Sequence, residues 1–140
     1  MPELKIQIRE DFIKEVIRIS RQAGASIMEV YQTDFKIQIK DDRSPITNAD
    51  KLANSIIIKG LTCLDDSISI ISEEGQAIAY EQRKDWRIFW MVDPLDGTKD
   101  FIKKNGEFTV NIALIEDNTP VFGVVYVPAL DVLYWGSLEH

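Results

Sequence analysis

Histidine is almost missing from this chain: of 140 residues only His140, the last, is one. Leu138-Glu139-His140 resembles the start of a purification tag, and setting it aside leaves no histidine at all. That excludes Ser-His-Asp and Cys-His catalysis and His-ligated zinc within the chain. Cysteine occurs once, at Cys63, so no internal disulfide can form and a reducing cytoplasm is the expected compartment. No apolar run reaches membrane-spanning length, and Met1-Pro2-Glu3-Leu4-Lys5 lacks a secretory pattern, so no stable membrane insertion is expected. Positive charge is also short: 16 Lys and Arg stand against 23 Asp and Glu, a net charge of -7. Such a balance argues against a general nucleic-acid surface, and an anionic substrate would need recruited positive charge. What remains is carboxylate chemistry, for which a hard cation such as Mg²⁺ is the natural partner.

With 45% of its residues hydrophobic, the chain is long enough to bury one core and is expected to form one domain. In residues 8–31, Phe12, Val16, Ile19, Ala23, Ile27 and Val30 recur at steps of three and four, which predicts an amphipathic helix. Residues 35–40 alternate apolar and polar and predict a half-exposed strand, followed by a loop through Pro45. A second helix is expected next, capped by Thr47 or Asn48, with Asp50 in its first turn and Leu52, Ile56, Ile57 and Leu61 as its apolar stripe. Cys63 fits a small core residue near that helix's end. Residues 67–72 predict a short strand running into Glu73-Glu74-Gly75. Residues 76–85 suggest a loop with a helical turn. Residues 87–92 predict a buried strand that Pro94 ends by removing a donor. A short helix over 99–104 and an antiparallel pair, 108–115 and 121–127, follow, joined by the turn-forming cluster Glu116-Asp117-Asn118-Thr119-Pro120. Past Pro128, a further strand begins at Val132.

The chemistry centres on Asp93-Pro94-Leu95-Asp96-Gly97-Thr98, where two carboxylates follow an apolar strand. If Glu73, Asp93 and Asp96 converge at neighbouring strand ends, three like charges repel unless a cation lies between them. Mg²⁺ would accept those oxygens, with the Leu95 carbonyl as a further ligand, and leave positions open for water and phosphate. Thr98 could hold a water if Asp50 polarised its hydroxyl. Gly97, lacking a Cβ, and Thr98 open a short helix whose N–H groups favour an anion. The alternative for each aspartate is a turn or a helix cap, and for Lys99, Lys103 and Lys104 it is plain solvation.

Asp93-Pro94-Leu95-Asp96-Gly97-Thr98 resembles the metal-binding signature of the inositol monophosphatase-like, lithium-sensitive phosphatases. Ser72-Glu73-Glu74-Gly75 is similar to their preceding acidic motif, and Ser44-Pro45-Ile46-Thr47-Asn48-Ala49-Asp50 to the loop and helix before it. Lys99-Asp100-Phe101-Ile102 and the segment from Asn105 to Ala113 most resemble the bacterial 3'(2'),5'-bisphosphate nucleotidases, which remove the 3'-phosphate of adenosine 3',5'-bisphosphate to give AMP. The resemblance implies that Glu73, Asp93, Asp96 and the Leu95 carbonyl bind Mg²⁺, that Asp50 and Thr98 position the attacking water, and that the Gly97 and Thr98 N–H groups receive the phosphate. Inositol monophosphatase and fructose-1,6-bisphosphatase activities are the sister alternatives; a non-catalytic metal- or partner-binding fragment is another. The implied fold is α+β, two helices on a largely antiparallel sheet, the N-terminal half of the αβαβα sandwich. Family members continue into a second region with a Trp-Asp-x-x-Ala-type motif, which does not occur here. Residues 1–137 are thus expected to be a truncated metal-binding domain and 138–140 a tag remnant, with self-association through the face the missing half would cover.

Overall fold

A computed structural model describes residues 7–33, 45–75 and 77–138. The strand expected over 35–40 and the loop over 41–44 lie outside the described residues. Among the described residues two long helices, α1 (Glu10–Tyr31) and α2 (Pro45–Leu64), precede a sheet of five strands taken in chain order: β1 (Ser69–Ser72), β2 (Ile88–Asp96), β3 (Thr109–Glu116), β4 (Thr119–Val127) and β5 (Val132–Ser137). β1 and β2 run parallel; every later pair is antiparallel. The short helices α3 (Tyr80–Arg83) and α4 (Thr98–Lys103) sit in the connections. This is the α+β arrangement expected, with two helices on a mostly antiparallel sheet.

The helical layer follows from residue spacing. Ile13, Val16, Ile19, Ala23 and Ile27 put one buried stripe on α1, while Lys14 and Arg18 stay on the wet face, paired with Glu10 and Glu15. Gly24 lets α1 approach the sheet closely, since a Cβ there would overlap the Tyr126 ring. On the sheet side, Trp90 and Val92 of β2, Val110, Ile112 and Leu114 of β3, and Phe122 and Val124 of β4 complete the core. Phe12 stacks on Trp90 with ring centres 5.7 Å apart and planes 13° apart. Tyr31, Phe101 and Phe108 form a second aromatic group, with ring centres 4.9 to 5.4 Å apart, that seats α4 against the end of α1.

Several expectations need correction. α2 starts at Pro45 rather than at a Thr47 or Asn48 cap, so Asp50 lies beyond its first turn. Its buried stripe is Ala49, Ala53, Ile57 and Leu61, and Leu52 is half exposed; small residues face the core because α1 and α2 pack closely, with Gly60 against Ile19. Cys63 is exposed rather than a core residue. Pro94 does not end β2. The ladder continues to Asp96 through an irregularity: Asp93 pairs with Asn111 and Asp96 with Thr109, so β2 spends one residue more than β3 over that step. A bulge absorbs the missing proline donor.

The β3–β4 turn rests on Asp117 and Asn118, both left-handed at φ 50° and 61°, the backbone that a two-residue hairpin requires and that Asp and Asn tolerate. Arg87 holds it to the start of β2 by donating to Glu116 Oε1 and Asp117 Oδ1, each at 2.9 Å. The face of the sheet away from the helices carries exposed Met91, Val125 and Tyr134. An open cavity of about 550 Å³ lies over it, lined by Ile71, Glu73, Asp93, Asn111, Ala113 and Val125 among others.

Candidate active site

Parallel pairing sends β1 and β2 toward the same end, so the carboxylates that follow them lie at one end of the sheet. The Glu73 N–H donates to the Val92 carbonyl at 3.0 Å, bringing Glu73 beside the residue before Asp93. The Ser72 hydroxyl donates to Asn54 Oδ1 at 2.5 Å, tying the end of β1 to α2. Asn54 is one turn beyond Asp50, so the same helix face delivers Asp50 to this end of the sheet.

The electrostatics follow from this placement. Asp50 is only 6% exposed, and its Oδ1 is buried with no hydrogen-bond partner. Burial, then the charges of Glu74 and Asp93, push its carboxyl up to about 7. Asp93 is raised too, first by burial and then by Asp96 and Glu73, with the Leu95 N–H partly offsetting them. Asp96 and Glu73 are exposed. Carboxylates whose fields reach one another with no basic partner among these causes form a region short of positive charge.

The donors fit a hard cation in kind: carboxylate oxygens, an orphaned buried Oδ1 and the backbone around Leu95. They do not yet fit it in spacing, because among the described residues no three acidic, Cys or His side chains are gathered closely enough to hold an ion. An ion there would have to draw them together.

Gly97 caps α4 in the left-handed region at φ 93°, and a Cβ there would stand 3.1 Å from Asp100 Oδ2 and 3.3 Å from Phe108 Cα. Both the conformation and the space favour glycine. Asp100 in turn accepts from Asn105 Nδ2 at 2.8 Å, and Asn105 Oδ1 accepts from the Glu107 N–H at 2.9 Å, which closes the loop after α4. Thr98 is exposed at the start of α4; its expected pairing with Asp50 is not made through Oδ1. Of the lysines, Lys104 is structural: it donates to the Thr33 carbonyl at 2.8 Å and lies over the Tyr31 ring. Lys99 and Lys103 are exposed. Two groups escaped the sequence reading, Asn111 and Glu74. Asn111 is a polar residue in the apolar run of β3, but only the register of the sheet places it across from Asp93.

Asp50 yields a pH prediction. Unfolded, it titrates near its ordinary value of 3.8. From about pH 4 to about pH 7 the folded chain keeps a proton that the unfolded chain releases, so the stability of the metal-free chain falls as pH rises through that window. Asp50→Asn should flatten the fall and raise the thermal midpoint above pH 7, followed by circular dichroism with a chelator present. An unchanged or lower midpoint there would refute the assignment.

Residues 9–140 match the inositol monophosphatase family. The chain is 49% identical over 127 residues to the 3'(2'),5'-bisphosphate nucleotidase CysQ of Salmonella typhimurium, covering 89% of this chain and 51% of that protein. It is 46% identical over 124 residues to CysQ of Escherichia coli K12, covering 87% and 50%. In structure it is similar to CysQ from Bacteroides thetaiotaomicron, with a TM-score of 0.81 and 41% identity over 91% of this chain and 46% of that one. The chain thus spans about half the length of the curated relatives it matches. Among the described residues no helix is long and apolar enough to cross a membrane.

Proposed function

The chain belongs to the inositol monophosphatase family, and on that premise we propose that it supplies the metal- and phosphate-binding part of a Mg²⁺-dependent phosphomonoesterase. The proposed reaction removes the 3'-phosphate of adenosine 3',5'-bisphosphate and leaves AMP, within the 3'(2'),5'-bisphosphate nucleotidase class that the names of the Salmonella and Escherichia relatives state. The observation that carries this reading is the placement of Asp50, Glu73, Glu74, Asp93 and Asp96 at one end of the sheet, where burial and then the neighbouring charges raise the carboxyls of Asp50 and Asp93.

Glu73, Asp93, Asp96 and the Leu95 carbonyl would hold Mg²⁺. When bound, the ion supplies charge neutralisation at the phosphate and a lowered pKa for water. The Gly97 and Thr98 N–H groups would receive the phosphate oxygens at the start of α4. The Thr98 hydroxyl and Asp50 would orient the attacking water, with Asp50 Oδ1, which has no competing partner, accepting its proton. Positive charge brought near Asp50 would lower its carboxyl from about 7 and free that acceptor. The exposed apolar face with Met91, Val125 and Tyr134 would favour self-association of this chain.

A second reading, a binding module without turnover, is favoured by the wide spacing of the carboxylates and by the half-length match. Phosphate release by this chain separates the two, measured with and without Mg²⁺ on adenosine 3',5'-bisphosphate, inositol 1-phosphate and fructose 1,6-bisphosphate. The expected result is Mg²⁺-dependent turnover, fastest with the nucleotide and abolished by Asp96→Asn. Equal or faster turnover of either sugar phosphate would move the substrate; binding without turnover would support the module.

A further inference from the structure

Asn111 stands where the two aspartates of β2 are hardest to hold. Across the antiparallel ladder it is the residue paired with Asp93, and residues directly opposite share a face of the sheet. Its side chain passes over the bulge to the other aspartate: Asn111 Nδ2 donates to Asp96 Oδ2 at 3.1 Å. A carboxylate can only accept, so the amide must turn its nitrogen to Asp96 and its oxygen away. That oxygen, Oδ1, is buried without a hydrogen-bond partner. The amide therefore accepts an unmatched buried acceptor in order to keep its donor on Asp96.

We propose that Asn111 is the positioning residue of Asp96. By occupying Oδ2 it fixes the carboxylate plane at a point where the bulge breaks the ladder, and leaves Oδ1 of Asp96 directed for a cation. This rests on the metal reading given above. Asn111 touches neither the phosphate nor the water in that scheme; it acts only through Asp96.

A double-mutant cycle read by calorimetry with Mg²⁺ tests this on the chain itself, with the metal-free thermal midpoint recorded for every variant. Asn111→Ala should weaken Mg²⁺ binding by about 10- to 100-fold. In an Asp96→Ala background the same substitution should change binding less than about twofold, because the group through which Asn111 acts is gone. A role confined to packing would produce the same loss in both backgrounds, and that result overturns the proposal. So does binding that Asn111→Ala leaves unchanged. If Asn111→Ala fails to fold, Asn111→Leu, of similar size but without a donor, takes its place with the same two outcomes. Failure of the unsubstituted chain to bind Mg²⁺ at all sinks the metal reading first, and the purpose given to Asn111 with it.

Discussion

Asp93→Asn should weaken Mg²⁺ binding by more than about 100-fold, beyond the range for losing a group that merely supports a ligand, while making the metal-free chain more stable. The two effects have opposite signs for one reason. Asp93 is half buried beside Asp96 and Glu73, and its carboxyl is raised by burial and by their charges. Without a cation its negative charge works against folding at neutral pH; with one, that charge would be the attraction that holds the ion. A turn-forming or capping aspartate would behave the other way, since its replacement lowers stability and leaves metal binding alone. Calorimetry with Mg²⁺ and thermal melts with a chelator, both at neutral pH, read the pair of effects. Unchanged affinity combined with a lower melting point would restore the turn interpretation.

The second large effect is on the scaffold. Trp90→Ala should cost about 3–5 kcal/mol, a large share of the roughly 5–15 kcal/mol by which ordinary domains are stable. Trp90 is 1% exposed and stacks on Phe12. Its neighbours in the adjoining strands are Ile70 of β1 and Leu114 of β3. Nothing polar is lost with it, because its indole nitrogen has no hydrogen-bond partner. Trp90→Phe should therefore cost much less, keeping most of the stacked area and removing an N–H that was buried unpaired. Urea unfolding of both variants decides this. A Trp90→Ala loss below about 1 kcal/mol, or equal losses for the two, would show that the Phe12–Trp90 stack does not organise the core.

Periodicity alone made most of the scaffold legible. The three-and-four spacing from Val16 to Ile27 marked the buried stripe of α1, and the apolar runs marked β3 and β4 with Asp117-Asn118 between them. What the chain hid was whatever depends on a neighbour. Ala49 and Ala53 look inert in sequence, yet they face the core because α1 passes close by; Leu52, apolar but turned away, is exposed. Pro94 reads as a terminator, but a bulge lets β2 run on to Asp96. For the candidate site, Glu73, Asp93 and Asp96 stand out in the sequence because they follow apolar strands and because of the family resemblance. Asn111 does not, because its part depends on which residue of β2 it faces, and register is a tertiary fact.

The one parallel pair among the described strands also bears on how the chain folds. β2, β3, β4 and β5 are antiparallel neighbours in chain order, and the β3–β4 pair closes on a two-residue turn. β1 reaches β2 only after the chain has crossed back along the sheet through α3, so its contacts carry the greater loop-closure entropy. Glu73 arrives at Asp93 with that last strand. Pulse-labelled hydrogen exchange during refolding should then protect Ile112 in β3 before Glu73, whose N–H is bonded to Val92 across the parallel pair. A partly folded chain would accordingly carry a complete hairpin core with Asp93 and Asp96 on it, still without Glu73, the carboxylate that only the parallel pair brings beside them.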